Sequence, residues 1–300
     1  MPREVVYRVD SRCELLAYLV SQHPTRSRKH AKDLLRFGAV TVRGKTNVRH
    51  DTRLEPGDVV SVAVQDNRRV GKVDLHELKI IHLDADVVVA EKPAGLLSMG
   101  SVAEKQKTAH RILNEYLKAL VGSETQQAFI VHRLDRETSG LIIFARSKAI
   151  QAALQKDWKN VTKKYLAVVE GVPADAHGTL TDHLLEDASM TVRRVKQGGE
   201  LAITHYEVRD TFGDKALIEM TLETGRKHQI RVQFAGLGHP IAGDGKYGAR
   251  TDPANRLALH ACALSFRHPV SGAIMEFRSA LPRRLQALCA GRRTPRDKAL

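Results

Sequence analysis

Apolar residues along this 300-residue chain repeat with two different spacings, and the prevailing spacing changes near residue 70. Two early segments, SRCELLAYLVSQ (11–22) and SRKHAKDLLRFG (27–38), carry apolar residues three and four positions apart, which predicts two helices. Alternating residues in AVTVRGK (39–45) and VVSVAV (59–64) predict strands that flank a Pro-Gly turn. The first part of the chain is therefore predicted to form a small α/β module over residues 11–70.

The rest of the chain is dominated by strand patterns. Helical spacing predicts helices in TAHRILNEYLKAL (108–120) and in RKHQIRVQFAGLG (226–238). Continuous or alternating apolar runs, several bounded by glycine, predict buried strands: ADVVVAEKPAGLL, GLIIFARS, KKYLAVVEG, THYEVRDTF, KALIEMTLETG and LALHACALSF. Strands that follow one another with few helices indicate an α+β domain around a mostly antiparallel mixed sheet, predicted over residues 75–290. The polar segment 65–74 is the predicted boundary.

Charge changes this picture, because the net charge of +14 is concentrated at the two ends. Residues 1–72 hold 15 Lys/Arg against 8 Asp/Glu, and residues 283–300 hold 6 against 1. The middle, 73–282, is almost balanced, with 27 against 25. Such asymmetry favours contact with a polyanion over a general solubility charge.

Composition excludes several classes of protein. Cys13, Cys262 and Cys289 form no CxxC pair, which argues against a structural zinc site and a disulfide framework and favours a cytoplasmic protein. No apolar run reaches the roughly 18 residues that span a bilayer, and the first ten residues lack a signal-peptide core. Nothing in the sequence requires more than a monomer, so we expect no membrane partner and a monomeric protein.

The small module resembles the S4 RNA-binding domain. The resemblance rests on SRKHAKDLLRFGAVTVRGK and LEPGDVVSV, whereas Arg-Cys-Glu at 12–14 departs from the Arg-Leu-Asp with which that family commonly opens. Ser27 is expected to cap the second helix and Gly38 to end it. The resemblance implies that four basic residues of this helix face RNA phosphates: Arg28, Lys29, Lys32 and Arg36.

The segment HRLDRETSG (132–140) places Asp135 among cations beside a predicted core strand. Residue types alone leave several explanations open. Asp135 with His132, His228, His239 or His260 could bind a metal, although no tight ligand spacing is present. Ser139 could belong to a catalytic triad, although the GxSxG elbow is missing. Asp135 could equally form an ion pair or a turn cap, which has no catalytic consequence.

The whole set of motifs resembles RNA pseudouridine synthases of the RluA type. The matches follow that family's order from 92 to 272: KPAGL, HRLDRETSGLIIFA, KKYLAVVEG, TGRKHQIRVQF, GHPIAGDGKYG and LALHACALSFRHPVSG. One departure is LSMGS after KPAGL, where many relatives continue to a His-Pro pair. We expect this loop to contact RNA differently without touching the catalytic positions.

The resemblance implies isomerisation of uridine to pseudouridine without cofactor or metal. It implies that Asp135 is the catalytic carboxylate, that Arg231 is its basic partner and that Tyr165 is the active-site tyrosine. An arginine within ion-pair reach was expected to lower the pKa of Asp135 and keep it ionised. Arg133 is implied to fill the stack left by an everted base, and Leu259 to pack under that base.

Ribosomal RNA of the large subunit is the first expected partner, and transfer RNA stays open. Two other functions compete with this interpretation. A non-catalytic RNA-binding or ribosome-assembly factor could keep the fold without isomerising RNA. A hydrolase using Asp135 and a histidine would release free uracil.

Overall fold

A computed structural model describes residues 4–22, 28–36, 40–45, 48–63, 73–74, 78–100, 107–121 and 127–290. Its strands are β1 (Glu4–Arg8), β2 (Cys13–Glu14), β3 (Val40–Val42), β4 (Arg53–Leu54), β5 (Val59–Ala63), β6 (Val73–Asp74), β7 (Lys79–Leu83), β8 (Val87–Lys92), β9 (Phe129–Ile130), β10 (Ser139–Ala145), β11 (Thr162–Glu170), β12 (His177–Glu186), β13 (Val192–Val195), β14 (Glu200–Phe212), β15 (Lys215–Leu222), β16 (Leu259–Arg267) and β17 (Ile274–Arg278).

The α-helices are α1 (Leu15–Gln22), α2 (Arg28–Arg36), α3 (Ala109–Val121), α4 (Lys148–Lys156), α5 (Gln229–Gly236) and α6 (Arg283–Cys289). All four helices predicted from spacing are present. The last of these begins at Gln229, later than predicted, because Arg226 and Lys227 lie in the turn before it. Among the described residues, no helix combines the length and apolar character needed to cross a bilayer.

The first strands and helices form a module with a core of its own. Strands β1, β5 and β3 make a three-stranded antiparallel sheet, and β2 pairs with β4. Leu15 and Leu19 of α1 pack with Leu34 and Leu35 of α2 against Val60 of β5. The expected caps Ser27 and Gly38 lie outside the described residues, as does most of the predicted boundary segment. Val73–Asp74 of that segment form β6, which joins the large sheet.

The predicted mixed sheet is confirmed as a 12-stranded sheet. Ten strands follow the path β13-β12-β14-β15-β11-β16-β10-β8-β7-β6, while β17 pairs with β16 and β9 pairs with β10 off this path. Its described strand pairs are antiparallel except β10 with β16. Alternate residues of β8 and β10 enter two different cores, since Ile142 packs with α3 on one face and Ile143 packs with α4 on the other. At the other half of the sheet, α5 and α6 cover β11, β14 and β15.

The parallel contact between β10 and β16 begins at the pairs Ser139–His260 and Gly140–Ala261. Gly140 has a φ of 120°, and a Cβ there would overlap the backbone of Ala261. A side chain at position 140 would therefore force the two central strands apart. This close approach sets the segment 132–138, which precedes β10, beside Leu259, the first residue of β16.

Candidate active site

A cavity of about 70 Å³ opens where the segment before β10 meets β11, β16 and the start of α5. Asp135, Tyr165, Arg231, Arg133 and Leu259 all line it. The structure thus brings together the five positions that sequence comparison predicted for catalysis, base packing and base replacement.

The backbone on both sides of Asp135 is fixed by buried groups. Ser98 Oγ donates to the carbonyl of Leu134 at 2.7 Å and accepts from its N–H at 3.0 Å. On the other side, Lys92 Nζ and the N–H of Gly95 both donate to the carbonyl of Arg136, at 3.2 and 2.8 Å. Asp135 is therefore held between two anchored residues at the cavity wall.

Ser98 lies in the LSMGS segment, and its hydrogen bonds go to Leu134, which is not one of the carried-over catalytic positions, so the expectation that this departure leaves those positions untouched stays a prediction. Its hydroxyl contacts the residue next to Asp135. A short polar side chain at 98 can reach both the N–H and the C=O of Leu134. The LSMGS segment therefore fixes the backbone next to Asp135.

Lys92 is fully buried, and its ammonium donates to three carbonyls. Besides Arg136, these belong to Pro93 at 2.9 Å and Leu96 at 2.7 Å. Burial nevertheless lowers the pKa of Lys92 to about 7, against the raising effect of Asp135. The lysine joins the turn after β8 to the segment that carries Asp135.

Arg231 has a stronger partner than Asp135. Its Nε and Nη2 donate to the two carboxylate oxygens of Asp244 at 2.7 and 2.8 Å. Its Nη1 lies 3.7 Å from Oδ2 of Asp135, and its guanidinium carbon stands 5.1 Å from the ring centroid of Tyr247. Asp244 thus fixes the guanidinium in a bidentate pair that leaves one edge turned towards Asp135.

The predicted direction of the Asp135 pKa is wrong. Burial, the largest effect, raises the pKa of Asp135, while Arg231, Arg133 and Lys92 lower it only in part. The Asp135 side chain is 18% exposed, and an ion pair at 3.7 Å is too long for a full charge-assisted hydrogen bond. Burial and the charge of Asp135 also raise the pKa of Tyr165, which keeps that hydroxyl protonated.

Tyr165 and Leu259 project from paired strands. The register of β11 against β16 shifts between Lys164 and Tyr165, and such a bulge re-aims the side chain that follows it. Leu259 is buried, whereas Arg133 is exposed at the rim and forms no ion pair within the described part of the chain.

The basic positions of the small module are partly described. Arg28 and Lys32 lie four residues apart on α2, and both are exposed. The side chains of Lys29 and Arg36, the other two basic residues predicted to face RNA, lie outside the described part of the structure.

The histidines and serine of the alternative explanations serve other contacts. His132 Nε2 accepts the N–H of Ile143, and its ring lies against Trp158. Ser139 Oγ does lie 2.8 Å from His260 Nδ1, but His260 Nε2 meets Ser279 at 3.0 Å instead of an acid. Ser139 is also buried and does not line the cavity, so the pair lacks both the acid and the access of a catalytic triad.

Two cavity features were missed by the sequence analysis. Asp244 lies within GHPIAGDGKYG, and the sequence analysis gave it no role. Its place between two glycines, 13 residues after Arg231, could have indicated that it pairs with this arginine. His228 was considered only as a metal ligand. It faces Asp135 with Nε2 3.9 Å from Oδ2, and its Nδ1 lies 2.7 Å from Tyr247 Oη.

Comparison with known proteins identifies the class. Residues 86–236 match the family model described as RNA pseudouridylate synthase. The chain is 36% identical over 274 residues to the uncharacterized RNA pseudouridine synthase YlyB of Bacillus subtilis, covering 88% of this chain and 89% of that protein. It is 33% identical to ribosomal large subunit pseudouridine synthase D of Vibrio cholerae, over 85% of this chain and 84% of the relative.

Among solved structures, human RNA pseudouridylate synthase domain containing 4 superposes with a TM-score of 0.58 and 27% identity, covering 69% of this chain and 92% of that one. The chain belongs to the RNA pseudouridylate synthase family. It is an isomerase that acts on RNA.

Proposed function

We propose that this enzyme converts specific uridines of structured RNA, first of all large-subunit ribosomal RNA, to pseudouridine, with Asp135 as the nucleophile. The observation that carries the proposal is the position of Asp135: it is the one carboxylate among the described residues that line the cavity. Arg231, Tyr165 and Leu259 surround it there. The choice of ribosomal RNA rests on the activity named for the Vibrio cholerae relative.

The proposed reaction needs one carboxylate. The bond between ribose C1′ and uracil N1 breaks, a bond from C1′ to uracil C5 forms, a proton leaves C5 and a proton is gained at N1. Asp135 can hold the intermediate covalently, either at the sugar or on the base, and is released when the new bond forms. Glycoside hydrolysis, by contrast, uses two carboxylates and a water molecule.

The other cavity residues take supporting roles in this proposal. Arg231 keeps enough of Asp135 ionised to react, against the effect of burial. Tyr165, held protonated, supplies a ring for stacking on uracil and a hydroxyl for proton transfer. Leu259 packs under the base. Arg133, exposed at the rim, places its planar guanidinium where the everted uridine stood.

The remainder of the chain supplies RNA affinity. We propose that the N-terminal module is an S4-like RNA-binding domain, because α2 presents Arg28 and Lys32 to solvent and the basic charge is concentrated in this part of the chain. Contacts of this kind with phosphates give affinity and salt dependence, and they leave the choice of uridine to the catalytic domain.

The substrate is tested by mapping pseudouridine across all cellular RNA after deletion of the gene. The strain is complemented with wild type, with Asp135→Asn or with Glu137→Gln. Glu137 is an exposed acid of the same segment and does not line the cavity, so it serves as the matched control. We expect sites in large-subunit ribosomal RNA to be lost on deletion and restored by wild type and Glu137→Gln alone. Lost sites confined to transfer RNA would contradict the ribosomal substrate.

A further inference from the structure

His228 occupies an uncommon backbone conformation at the cavity wall. It is the N-cap of α5 with φ 52° and ψ 18°, a left-handed conformation, and its side chain makes no capping hydrogen bond to the helix. A left-handed conformation is unfavourable for a residue other than glycine, and such residues cluster at functional sites. The conformation of His228 is therefore unfavourable for stability, and its side chain lines the cavity instead of capping α5.

Tyr247 determines which nitrogen of His228 carries the hydrogen. The N–H of Val192 donates to Tyr247 Oη at 3.2 Å, and His228 Nδ1 lies 2.7 Å from the same oxygen. Both the N–H of Val192 and the O–H of Tyr247 form a hydrogen bond when Oη accepts from Val192 and donates its own proton to Nδ1 of His228. The imidazole hydrogen is then on Nε2.

The charges around the ring favour the neutral imidazole. Burial, followed by the positive charges of Arg231, Lys246 and Lys227, lowers the pKa of His228 to about 4, although Asp244 raises it. A neutral ring forms no ion pair with Asp135, and the 3.9 Å from Nε2 to Oδ2 exceeds a hydrogen bond. Within the described residues, Nε2 makes no hydrogen bond, and the ring lines the cavity beside Asp135.

We infer that His228 is a substrate-binding residue, whose Nε2–H donates a hydrogen bond to an oxygen of the everted uridine beside Asp135. Tyr247 is its positioning residue. The donor is useful here because it carries no charge, so it orients the nucleotide without competing with Arg231 for Asp135. This inference rests on the proposed function, in which the uridine enters this cavity.

Two substitutions separate the parts of the ring. His228→Asn keeps a residue suited to the left-handed conformation and places an amide where Nδ1 meets Tyr247, but it has no group at the position of Nε2. His228→Gln is longer and returns an N–H donor near that position. Tyr247→Phe keeps the aromatic ring under Arg231 and removes the hydroxyl that orients His228.

The variants are compared in single-turnover reactions with excess full-length enzyme on a large-subunit ribosomal RNA transcript, together with RNA affinity and melting temperature. We expect His228→Asn to react about 10- to 100-fold more slowly with unchanged RNA affinity, and His228→Gln to recover a large part of that loss. The rate of Tyr247→Phe should fall between those of wild type and His228→Asn, with a slightly lower melting temperature because the N–H of Val192 loses its acceptor.

A wild-type rate for folded His228→Asn, or for Tyr247→Phe, would overturn the inference. So would a His228→Gln enzyme that binds RNA, melts like wild type and reacts no faster than His228→Asn. Failure of the proposed function looks different, because the transcript would then be left unmodified by wild type or would be modified by Asp135→Asn.

Discussion

Arg231 binds Asp244 through two nitrogens at 2.7 and 2.8 Å, and approaches Asp135 with a third nitrogen at 3.7 Å. The tight pair fixes the guanidinium, and the loose one leaves Asp135 within reach of its charge without a full hydrogen bond. Arg231 favours the ionised form of this carboxylate and burial opposes it, so the charged group is only weakly solvated, which suits its proposed role as nucleophile.

Asp244→Asn should weaken both the fold and the reaction. An asparagine cannot neutralise the buried guanidinium, and breaking a buried ion pair costs about 3–5 kcal/mol. Without its ion pair to Asp244, the guanidinium of Arg231 would move towards Asp135 and form a tighter ion pair with it. We expect a lower free energy of unfolding in urea and a single-turnover rate reduced about 10- to 100-fold. Asp214→Asn, at an exposed position, is the control and should match wild type in both.

Arg231→Gln should change the pH dependence of the reaction. Under the proposed function Asp135 reacts when ionised, so the rate should rise with pH through its folded pKa, which burial already raises. Removing the cation removes the largest effect that lowers this pKa. The acidic limb of the single-turnover rate should therefore move to higher pH in Arg231→Gln and stay nearer its wild-type position in Arg231→Lys. An acidic limb that did not move in Arg231→Gln would show that Arg231 has no electrostatic influence on the reacting group.

Lys92→Met should loosen the segment that carries Asp135. The substitution leaves the carbonyls of Pro93 and Leu96 without the ammonium donor and leaves the carbonyl of Arg136 with the N–H of Gly95 alone, which costs about 2–4 kcal/mol. Lys79→Met, at a half-exposed position, is the control.

The cost of Lys92→Met should also depend on pH. Burial lowers the folded pKa of Lys92 to about 7, below its unfolded value, so between pH 7 and 10 the unfolded chain binds more protons. Wild-type stability should therefore rise relative to Lys92→Met over this interval. A constant difference measured by urea unfolding at pH 7, 8.5 and 10 would contradict the lowered pKa.

The two exposed cations of α2 should contribute to RNA affinity and not to chemistry. Arg28→Gln with Lys32→Gln removes two charges that lie four residues apart. If both face phosphates, the slope of log affinity against log salt should become shallower by about 1 to 2. The single-turnover rate at saturating enzyme should not change. Arg111→Gln with Lys118→Gln on α3 is the charge-matched control, and a salt slope that falls equally in both pairs would count against the α2 surface.

Patterns in the sequence predicted what local spacing determines. The helices α1 to α3 and the buried strands β8, β10 and β16 follow from their periodicity because each buries a continuous apolar face. The hairpin of β12 and β13 was not predicted, since most of its side chains are exposed or half-exposed and it carries little apolar pattern. Helix α4 was missed although Ser147 caps its start.

The five cavity positions could be predicted because a family resemblance brought together segments far apart in the chain. The pKa values and ion pairs of these residues could not be predicted from the sequence. The pKa of Asp135 depends on how deeply it is buried and on where the guanidinium of Arg231 is directed. Asp244 fixes the direction of that guanidinium from another loop, and the hydroxyl of Tyr247 joins His228 to the backbone of Val192. Such relations exist only after the chain has folded.

The most direct test compares purified wild type, Asp135→Asn and Glu137→Gln on the RNA that wild type modifies. Pseudouridine formed in one turnover is measured, with RNA affinity and melting temperature recorded for each protein. We predict that Asp135→Asn binds this RNA and melts as wild type does, but forms pseudouridine at least about 10³-fold more slowly, while Glu137→Gln reacts normally. Asp135→Asn that formed pseudouridine at the wild-type rate would contradict the assignment of Asp135 as the nucleophile.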